Sequence, residues 1–202
     1  RDVTLLFADV RGFSRLSEGM DAETLIRFVN RLFTPLSEII LDHRGTIDKF
    51  MGDAVMAFWN APVPDRDHAA NACRAALAMQ KAMDRLNREE AARCAAAAIP
   101  HHPVRIGIGL NTGPCCVGNV GSPQRFDYSV LGDAVNVASR IEDATKIYGA
   151  PIIAGERTAR EAVGFAFLEI ETAARLRGKD RPERLFALVG DNTLAATPDF
   201  KA

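Results

Sequence analysis

The sequence predicts an α+β fold, a ferredoxin-like βαββαβ core with a C-terminal extension. Three observations support this prediction. A near-continuous apolar strand opens the chain at Val3 to Val10, and two long helical patterns follow it, near 21–43 and 67–90. Between the helices, two apolar runs flank the corner Met51-Gly52-Asp53, which indicates a tight hairpin. A strand, a helix, a hairpin, a second helix and a strand make up the ferredoxin-like plan.

The first strand and helix carry strong periodic signals. The run Val3 to Val10 is typical of a central buried strand, and Asp9 lies near its end. Residues 11–14 are expected to form a short loop. A helix is expected from about Asp21 to His43, with Asp21 as its N-cap and apolar residues at helical spacing. Pro35 is expected to kink or break this helix.

The hairpin and the second helix complete the first half. Gly45 is expected to end the first helix, and Gly52 supplies the backbone freedom that the hairpin turn needs. The Ala-rich helix begins at Asp65 or Asp67 and runs to about Glu90. An extension beyond Glu90 is possible, but Pro100 would end it.

The second half of the sequence is expected to form shorter helices and strands. Strands at 104–110 and 115–120 are expected to form a second hairpin around the turn Asn111-Thr112-Gly113-Pro114, followed by a loop or arm at 121–128. Asp133 is expected to cap a helix of 15 or so residues. The remaining elements are expected in this order: a strand at 151–154, a helix near 156–163, and strands near 165–171 and 184–189.

Length and composition indicate one globular domain spanning residues 1–202. A chain of 202 residues is long enough for one sizeable core and marginal for two. A net charge of −1 argues against nucleic acid or an anionic membrane as the main partner. No apolar run approaches the ~20 residues of a membrane span, so we expect no membrane contact by this domain itself.

Cysteine spacing and the start of the chain suggest its context. The four cysteines form no Cys-x-x-Cys pair, so a zinc site or a disulfide framework is not expected. A reducing, cytoplasmic compartment is therefore the default expectation. The chain enters a strand directly after Arg1-Asp2, and we expect a domain excised from a longer protein whose sensor or membrane parts lie elsewhere.

Asp9 and Asp53 are candidates for a metal site. In a ferredoxin-like unit the first strand lies beside the central hairpin, so the end of that strand and the hairpin turn meet at one edge. Two carboxylates converging there would repel each other unless a cation lay between them. Oxygen ligands favour Mg²⁺ or Mn²⁺ over zinc. The alternative is that each Asp only caps its neighbouring turn.

Other charged residues are open to two interpretations. Lys49 lies in an apolar strand, where a charge is costly to bury unless it is paired, but it is also acceptable on an edge strand. Asn136 and Arg140 share one helix face, which is either functional or simply solvated. Arg105 and the basic loop 175–181 would bind phosphates or would be surface charge.

Four motifs, in this order along almost the whole chain, carry a family resemblance: Phe7-Ala-Asp9-Val-Arg-Gly12-Phe13-Ser14, Lys49-Phe-Met-Gly52-Asp53, Arg105-Ile-Gly-Ile and Tyr128-Ser-Val-Leu-Gly132-Asp-Ala-Val-Asn136-Val-Ala-Ser-Arg140. Together they resemble the catalytic domain of class III nucleotidyl cyclases, of the bacterial adenylate cyclase type. The resemblance implies the class III nucleotidyl cyclase fold and a cyclase that forms cyclic AMP and pyrophosphate from ATP.

The resemblance also implies a metal and phosphate site. Asp9 and Asp53 would bind two divalent cations, Mg²⁺ or Mn²⁺, together with the backbone at Val10. Phe13 would lie close to the triphosphate, and Arg105 would contact a phosphate. In the basic loop, Arg177 stands in the closest register to the family's phosphate-binding lysine, and Lys179 follows two residues later.

A second set of residues would recognise the nucleoside. Lys49 and Ser129 occupy the positions that read the purine, Asn136 would orient the ribose, and Arg140 would stabilise charge at the α-phosphate. In the family, metal ligands and base-reading residues of one site come from different subunits of a head-to-tail dimer. Because this chain carries both sets, the resemblance implies a homodimer, with any regulatory domain N-terminal to it.

The residue types favour ATP but leave alternatives. Lys49 can only donate, which suits the acceptor N1 of adenine. The Ser129 hydroxyl can accept from the adenine amino group or donate to guanine O6. A guanylate cyclase and a non-catalytic cyclase-homology module therefore remain as alternatives. A diguanylate synthase is a further one, but its Gly-Gly-Asp/Glu-Glu-Phe signature is absent from the sequence.

Overall fold

A computed structural model describes residues 1–98, 101–170 and 183–196 of the chain. The elements of the first half are β1 (Asp2–Val10), α1 (Phe13–Ser17), α2 (Ala22–Asp42), β2 (Thr46–Met51), β3 (Ala54–Trp59) and α3 (His68–Ala96). Those of the second half are β4 (Ile106–Pro114), β5 (Cys116–Ser122), β6 (Arg125–Leu131), α4 (Asp133–Tyr148), β7 (Ile152–Gly155), α5 (Glu156–Glu161), β8 (Ala166–Glu169), β9 (Leu185–Gly190) and α6 (Asn192–Ala195).

Seven strands form one mixed sheet in the order β2-β3-β1-β4-β7-β9-β8, and β5 and β6 form a separate two-stranded ribbon. β1 is antiparallel to both β3 and β4, whereas β4 and β7 are parallel. The order β2-β3-β1-β4, with α2 and α3 as the connecting helices, is the ferredoxin-like arrangement. The predicted fold class is confirmed, and β7, β9 and β8 form the C-terminal extension.

The two faces of β1 are packed against different helices. Leu6, Ala8 and Val10 belong to the core cluster that contains the buried residues of α2 and α3. Val3 and Leu5 point to the opposite face, where they pack with residues of α4 and the β5–β6 ribbon. Since both faces are covered, the strand carries the continuous apolar run that predicted it.

Large side chains and glycines alternate along β4, and the glycines let α4 lie close to the sheet. Ile106, Ile108 and Leu110 fill the core on the α2–α3 side. Gly107 and Gly109 lie between them and face α4, and a Cβ atom at Gly109 would lie 2.3 Å from the backbone nitrogen of Glu142. The helix therefore rests directly on the backbone of the strand.

The predicted second hairpin is wrong, because β4 continues to Pro114 through the expected turn. This part of β4 pairs with Asp2–Leu5 of β1. The polar side chains that suggested a turn are buried and have partners. The Asn111 amide donates to the Ala134 carbonyl at 3.0 Å, and the Thr112 hydroxyl lies 2.8 Å from that of Thr4. The hairpin forms instead between β5 and β6, so much of the expected loop at 121–128 is strand.

Helix ends also differ in detail from the sequence prediction. Asp21 caps α2 as predicted, accepting a hydrogen bond from the Thr24 amide at 2.9 Å. α2 runs through Pro35 without a break. The expected loop at 11–14 contains the start of α1, and Gly132 rather than Asp133 is the N-cap residue of α4. No helix within the described ranges combines the length and apolar character needed to cross a membrane.

Candidate active site

Asp9 and Asp53 lie close together at one edge of the sheet. Asp9 pairs in register with Ala54, the residue that follows Asp53. The turn before β3 is made possible by Gly52, whose φ is +64°. Burial raises the pKa of Asp53, and the neighbouring Asp9 carboxylate raises it further through its charge and a shared hydrogen bond. The topology thus brings together two carboxylates that are distant in sequence.

This carboxylate pair fits a hard divalent cation. Its donor atoms are all oxygen, and a cation between the carboxylates would relieve the repulsion that raises the pKa of Asp53. Among the described residues, no group of three or more His, Cys, Asp or Glu side chains is arranged to hold a metal ion. Mg²⁺ is usually bound through only one or two carboxylates plus substrate phosphates, so a pair is sufficient for it.

Two residues of α4 extend the charged cluster. Lys146 Nζ lies 2.9 Å from Asp9 Oδ2 and 3.5 Å from Glu142 Oε2. Glu142 is buried, and its Oε1 accepts no hydrogen bond within the described part of the chain. Burial raises the pKa of Glu142 to about 7, although the Lys146 ammonium acts in the opposite direction. Lys146 therefore supplies positive charge beside the candidate metal ligands.

A β-bulge shapes the second group of candidate residues. The register between β2 and β3 shifts between Ile47 and Lys49, so Asp48 is the extra residue. The Asp48 side chain is fully buried, and its Oδ1 lies 3.2 Å from Lys49 Nζ. Ser129 of β6 donates a hydrogen bond from its hydroxyl to Asp48 Oδ2 at 2.7 Å. The bulge thus links Lys49 and Ser129 through one carboxylate.

Arg11 holds the end of β1 against α4. Its guanidinium donates to the backbone carbonyls of Thr145 and Ala150, at 3.0 and 3.2 Å, around the C-terminal end of the helix. A cation at this end also interacts favourably with the helix dipole. The Arg11 amide donates to the Arg105 carbonyl at 2.8 Å. These bonds anchor the loop that follows Asp9.

Among the described residues, the side chains of the remaining candidates form no hydrogen bond or ion pair with either group. Val10 is buried in the core, and Phe13 of α1 stacks on Phe28 at a centroid distance of 6.5 Å. Within the described ranges, no hydrogen bond or ion pair involves the side chains of Arg105, Asn136 or Arg140. Arg105 and Asn136 are exposed, and Arg140 is half-buried. The predicted phosphate-binding residues Arg177 and Lys179 lie outside the described residues.

Asp48, Glu142 and Lys146 were missed as candidates from the sequence. Glu142 could have been noticed, because it stands beside Ile141 on the apolar, packing face of α4. Lys146 follows it by four residues, which is the spacing of a helical ion pair. For Asp48 there was no local signal, because simple strand alternation would place it on the face opposite to Lys49.

The chain is similar in sequence to proteins of one known family. A family model described as "Adenylate and Guanylate cyclase catalytic domain" matches residues 1–149. "Adenylate cyclase 1" of Rhizobium meliloti is 35% identical over 94% of this chain, which covers 28% of that protein. "Adenylate cyclase" of Anabaena cylindrica is 37% identical over 89% of the chain and 35% of that protein. The chain thus spans about a third of the length of these curated relatives.

Solved structures of an adenylyl cyclase and of a guanylyl cyclase are similar to this fold. The adenylyl cyclase CyaB from P. aeruginosa superposes with a TM-score of 0.81 and 33% identity, and the match covers 94% of each chain. The guanylyl cyclase Cya2 superposes with a TM-score of 0.79 and 31% identity, covering 95% of this chain and 93% of the other.

Proposed function

Since the chain belongs to the family of adenylate and guanylate cyclase catalytic domains, we propose that it is an adenylate cyclase. The substrate would be ATP and the products 3′,5′-cyclic AMP and pyrophosphate. The observation that carries the proposal is the approach of Asp9 and Asp53 at one sheet edge, where burial and mutual repulsion raise the pKa of Asp53. Such a pair suits a reaction at a metal-bound triphosphate.

In this proposal Asp9 and Asp53 hold the metal site, with backbone at Val10. Two divalent cations, when bound, would acidify the ribose 3′-hydroxyl, hold the triphosphate in line and offset developing charge. Lys146 helps to keep Asp9 in place through its 2.9 Å contact. Phe13 is proposed to lie beside the triphosphate.

The other proposed roles belong to substrate recognition and charge stabilisation. Lys49 donates to N1 of adenine, and Ser129 accepts from the adenine amino group. Asn136 orients the ribose so that its 3′-hydroxyl faces the α-phosphorus. Arg140 provides a fixed positive group for the charge that develops at the α-phosphate. Arg105 is proposed to contact a phosphate, as are Arg177 and Lys179.

We further propose a head-to-tail homodimer with two equivalent sites, each using the metal ligands of one subunit and the nucleoside-reading residues of the other. Exposed apolar side chains on the β2–β3 hairpin and the β5–β6 ribbon support this arrangement, because such clusters commonly mark protein interfaces. These side chains are Phe50, Met51, Val120, Phe126, Tyr128 and Leu131. A monomer would have no complete site.

A guanylate cyclase is the second candidate, supported by the 31% identity to the guanylyl cyclase Cya2. Guanine carries a donor at N1, which a lysine cannot satisfy, so Lys49 argues against it. A non-catalytic homology module is a third possibility. The presence of Asp9, Asp53, Asn136 and Arg140 argues against that, because each proposed catalytic position is filled by a competent residue.

The test is to incubate the purified chain with Mn²⁺ and either ATP or GTP at high protein concentration and to follow cyclic product. The proposal expects cyclic AMP from ATP and much less cyclic GMP from GTP. Faster formation of cyclic GMP would favour the guanylate cyclase. If neither nucleotide is cyclised, the catalytic proposal is wrong.

A further inference from the structure

We propose that Asp48 sets the base preference of this site by taking the only proton of the Ser129 hydroxyl. The inference rests on the proposed function, because it assumes that Lys49 and Ser129 read the purine. It goes beyond that function by naming a residue that would not touch the substrate. Asp48 is thus proposed as a positioning residue for specificity.

The geometry around Asp48 assigns the direction of the hydrogen bond. A carboxylate can only accept, whereas a hydroxyl has one proton and two lone pairs. Ser129 Oγ lies 2.7 Å from Asp48 Oδ2, which is the usual length of a good O–H···O bond. The hydroxyl therefore offers only its lone pairs to a ligand.

A hydroxyl that can only accept distinguishes the two purines. Adenine presents an amino group at position 6, which can donate to Ser129. Guanine presents the acceptor O6 there, and two acceptors facing each other leave both groups without a hydrogen bond. Together with Lys49, which only donates, the site would match the acceptor N1 and the donor amino group of adenine.

Rotating the Ser129 hydroxyl toward guanine would be costly, because Oδ2 of Asp48 has no other donor among the described residues. Its Oδ1 is buried and accepts no hydrogen bond among the described residues, although Lys49 Nζ is 3.2 Å away. If Ser129 turned away, Oδ2 would lose its hydrogen bond, and the buried carboxylate would keep only its ion pair with Lys49, whose ammonium the base also needs. The free-energy cost of removing a hydrogen bond from the buried Asp48 carboxylate disfavours this rotation of the hydroxyl.

The bulge is what makes this arrangement possible. In a regular strand, Asp48 and Lys49 would point to opposite faces of the sheet. The register shift between Ile47 and Lys49 changes the direction of the side chain at the bulge. Asp48 can therefore approach Lys49 and the ribbon residue Ser129 at once.

The experiment measures the ratio of kcat/KM for ATP to that for GTP with Mn²⁺. Asp48→Ala frees the hydroxyl to donate, and we expect the ratio to fall about tenfold, the effect of one hydrogen bond. Ser129→Ala should also lower the ratio, since it removes an acceptor that only adenine uses. Adding Asp48→Ala to Ser129→Ala should change the ratio no further, because Asp48 acts through the hydroxyl.

A matched control is Asp65→Ala, which also removes a buried Asp side chain that accepts two hydrogen bonds, from Asn71 Nδ2 at 2.7 Å and the Asp67 amide at 3.1 Å. Asp65 lies outside the candidate site, so the ratio should stay at its wild-type value. If Asp48→Ala lowers both activities equally, its role is only structural and the inference is wrong. The inference is also wrong if Asp48→Ala lowers the ratio as much in the Ser129→Ala variant as it does in the wild type.

Measurements of nucleotide affinity test this inference separately from the proposed enzyme activity. Affinities for 3′-deoxy-ATP and 3′-deoxy-GTP, which cannot be cyclised, are measured by calorimetry for each variant that folds. A wild-type chain that prefers 3′-deoxy-ATP but forms no cyclic product refutes the enzyme activity, while the predicted loss of preference in Asp48→Ala still supports the inference. Equal affinity of the wild type for both nucleotides overturns it. If Asp48→Ala does not fold, the ratio for Ser129→Ala decides: an unchanged value refutes the inference.

Discussion

Replacing Gly109 by alanine is expected to push α4 away from the sheet and to lower both stability and activity. A Cβ atom there would lie 2.3 Å from the Glu142 nitrogen, 2.7 Å from the Ala138 oxygen and 2.8 Å from the Glu142 Cα. Nonbonded atoms normally approach to ~3.5 Å, so the helix must retreat by about 1 Å. All three neighbours are backbone atoms, so no side-chain rotation can relieve the contact.

The magnitude follows from the rigidity of these neighbours. Overpacking of a core typically costs about 1–3 kcal/mol, and we expect the upper end here, about 3 kcal/mol. For a chain of this size, that corresponds to a fall in Tm of roughly 6–12 °C. Because α4 carries Asn136 and Arg140, which are proposed to act on the ribose and the α-phosphate, a shift of about 1 Å should also reduce kcat by about a hundredfold.

Thermal unfolding followed by circular dichroism measures the stability effect, and cyclase assays below the Tm of the variant measure the activity. Gly118→Ala is the matched control, since it also adds a methyl group to a strand glycine but meets no heavy atom within 4 Å. If Gly109→Ala melts within about 2 °C of Gly118→Ala, then α4 adapts easily and the argument from close packing is wrong.

Three further predictions concern the candidate site and the residues around it. Asp9→Ala and Asp53→Ala should each abolish turnover, because each removes a proposed metal ligand. The Tm should stay near that of the wild type, because each substitution also removes one of two repelling carboxylates. Mixing Asp53→Ala with Asn136→Ala chains should restore about a quarter of wild-type activity, since random pairing makes half the dimers mixed and each has one intact site. Glu142→Gln should raise stability more at pH 8 than at pH 5. Its pKa of about 7, against an ordinary 4.5, means that folding loses stability as pH rises through this interval, by at most about 3 kcal/mol.

Each of these has a clear contrary result. Activity retained in either Asp variant would refute the metal assignment, and mixtures that remain inactive would refute the shared site. An equal gain in Tm at both pH values would show that Glu142 carries no buried-charge penalty. Melting curves of the wild type and Glu142→Gln at both pH values supply that comparison.

Several features of the site could be predicted because they depend on local pattern and on simple topology. The apolar run of β1, the Asp21 cap of α2 and the hairpin around Gly52 each have strong local signals, and all were confirmed. Once β1 and the hairpin were assigned to a ferredoxin-like plan, Asp9 and Asp53 had to meet at one edge. No property beyond strand order was needed for that inference.

The segment from β4 to β6 could not be predicted in the same way. Asn111-Thr112-Gly113-Pro114 has the composition of a turn, but pairing with β1 draws it into the sheet. Hydrogen bonds from distant residues satisfy its polar side chains, so the usual cost of burying them is avoided. Local preference for a turn was outweighed by contacts that lie more than twenty residues away in the chain.

Sequence pattern was sufficient for the family, the ferredoxin-like core and the meeting of Asp9 with Asp53, because these depend on periodicity, on short motifs and on simple topology. The sequence pattern does not show whether the Ser129 hydroxyl donates or accepts its hydrogen bond. A serine can accept or donate, and its behaviour depends on a carboxylate 81 positions away that only a register shift in β2 brings within 2.7 Å. Hydrogen-bond direction depends on such three-dimensional neighbours, and the folded chain is what supplies them.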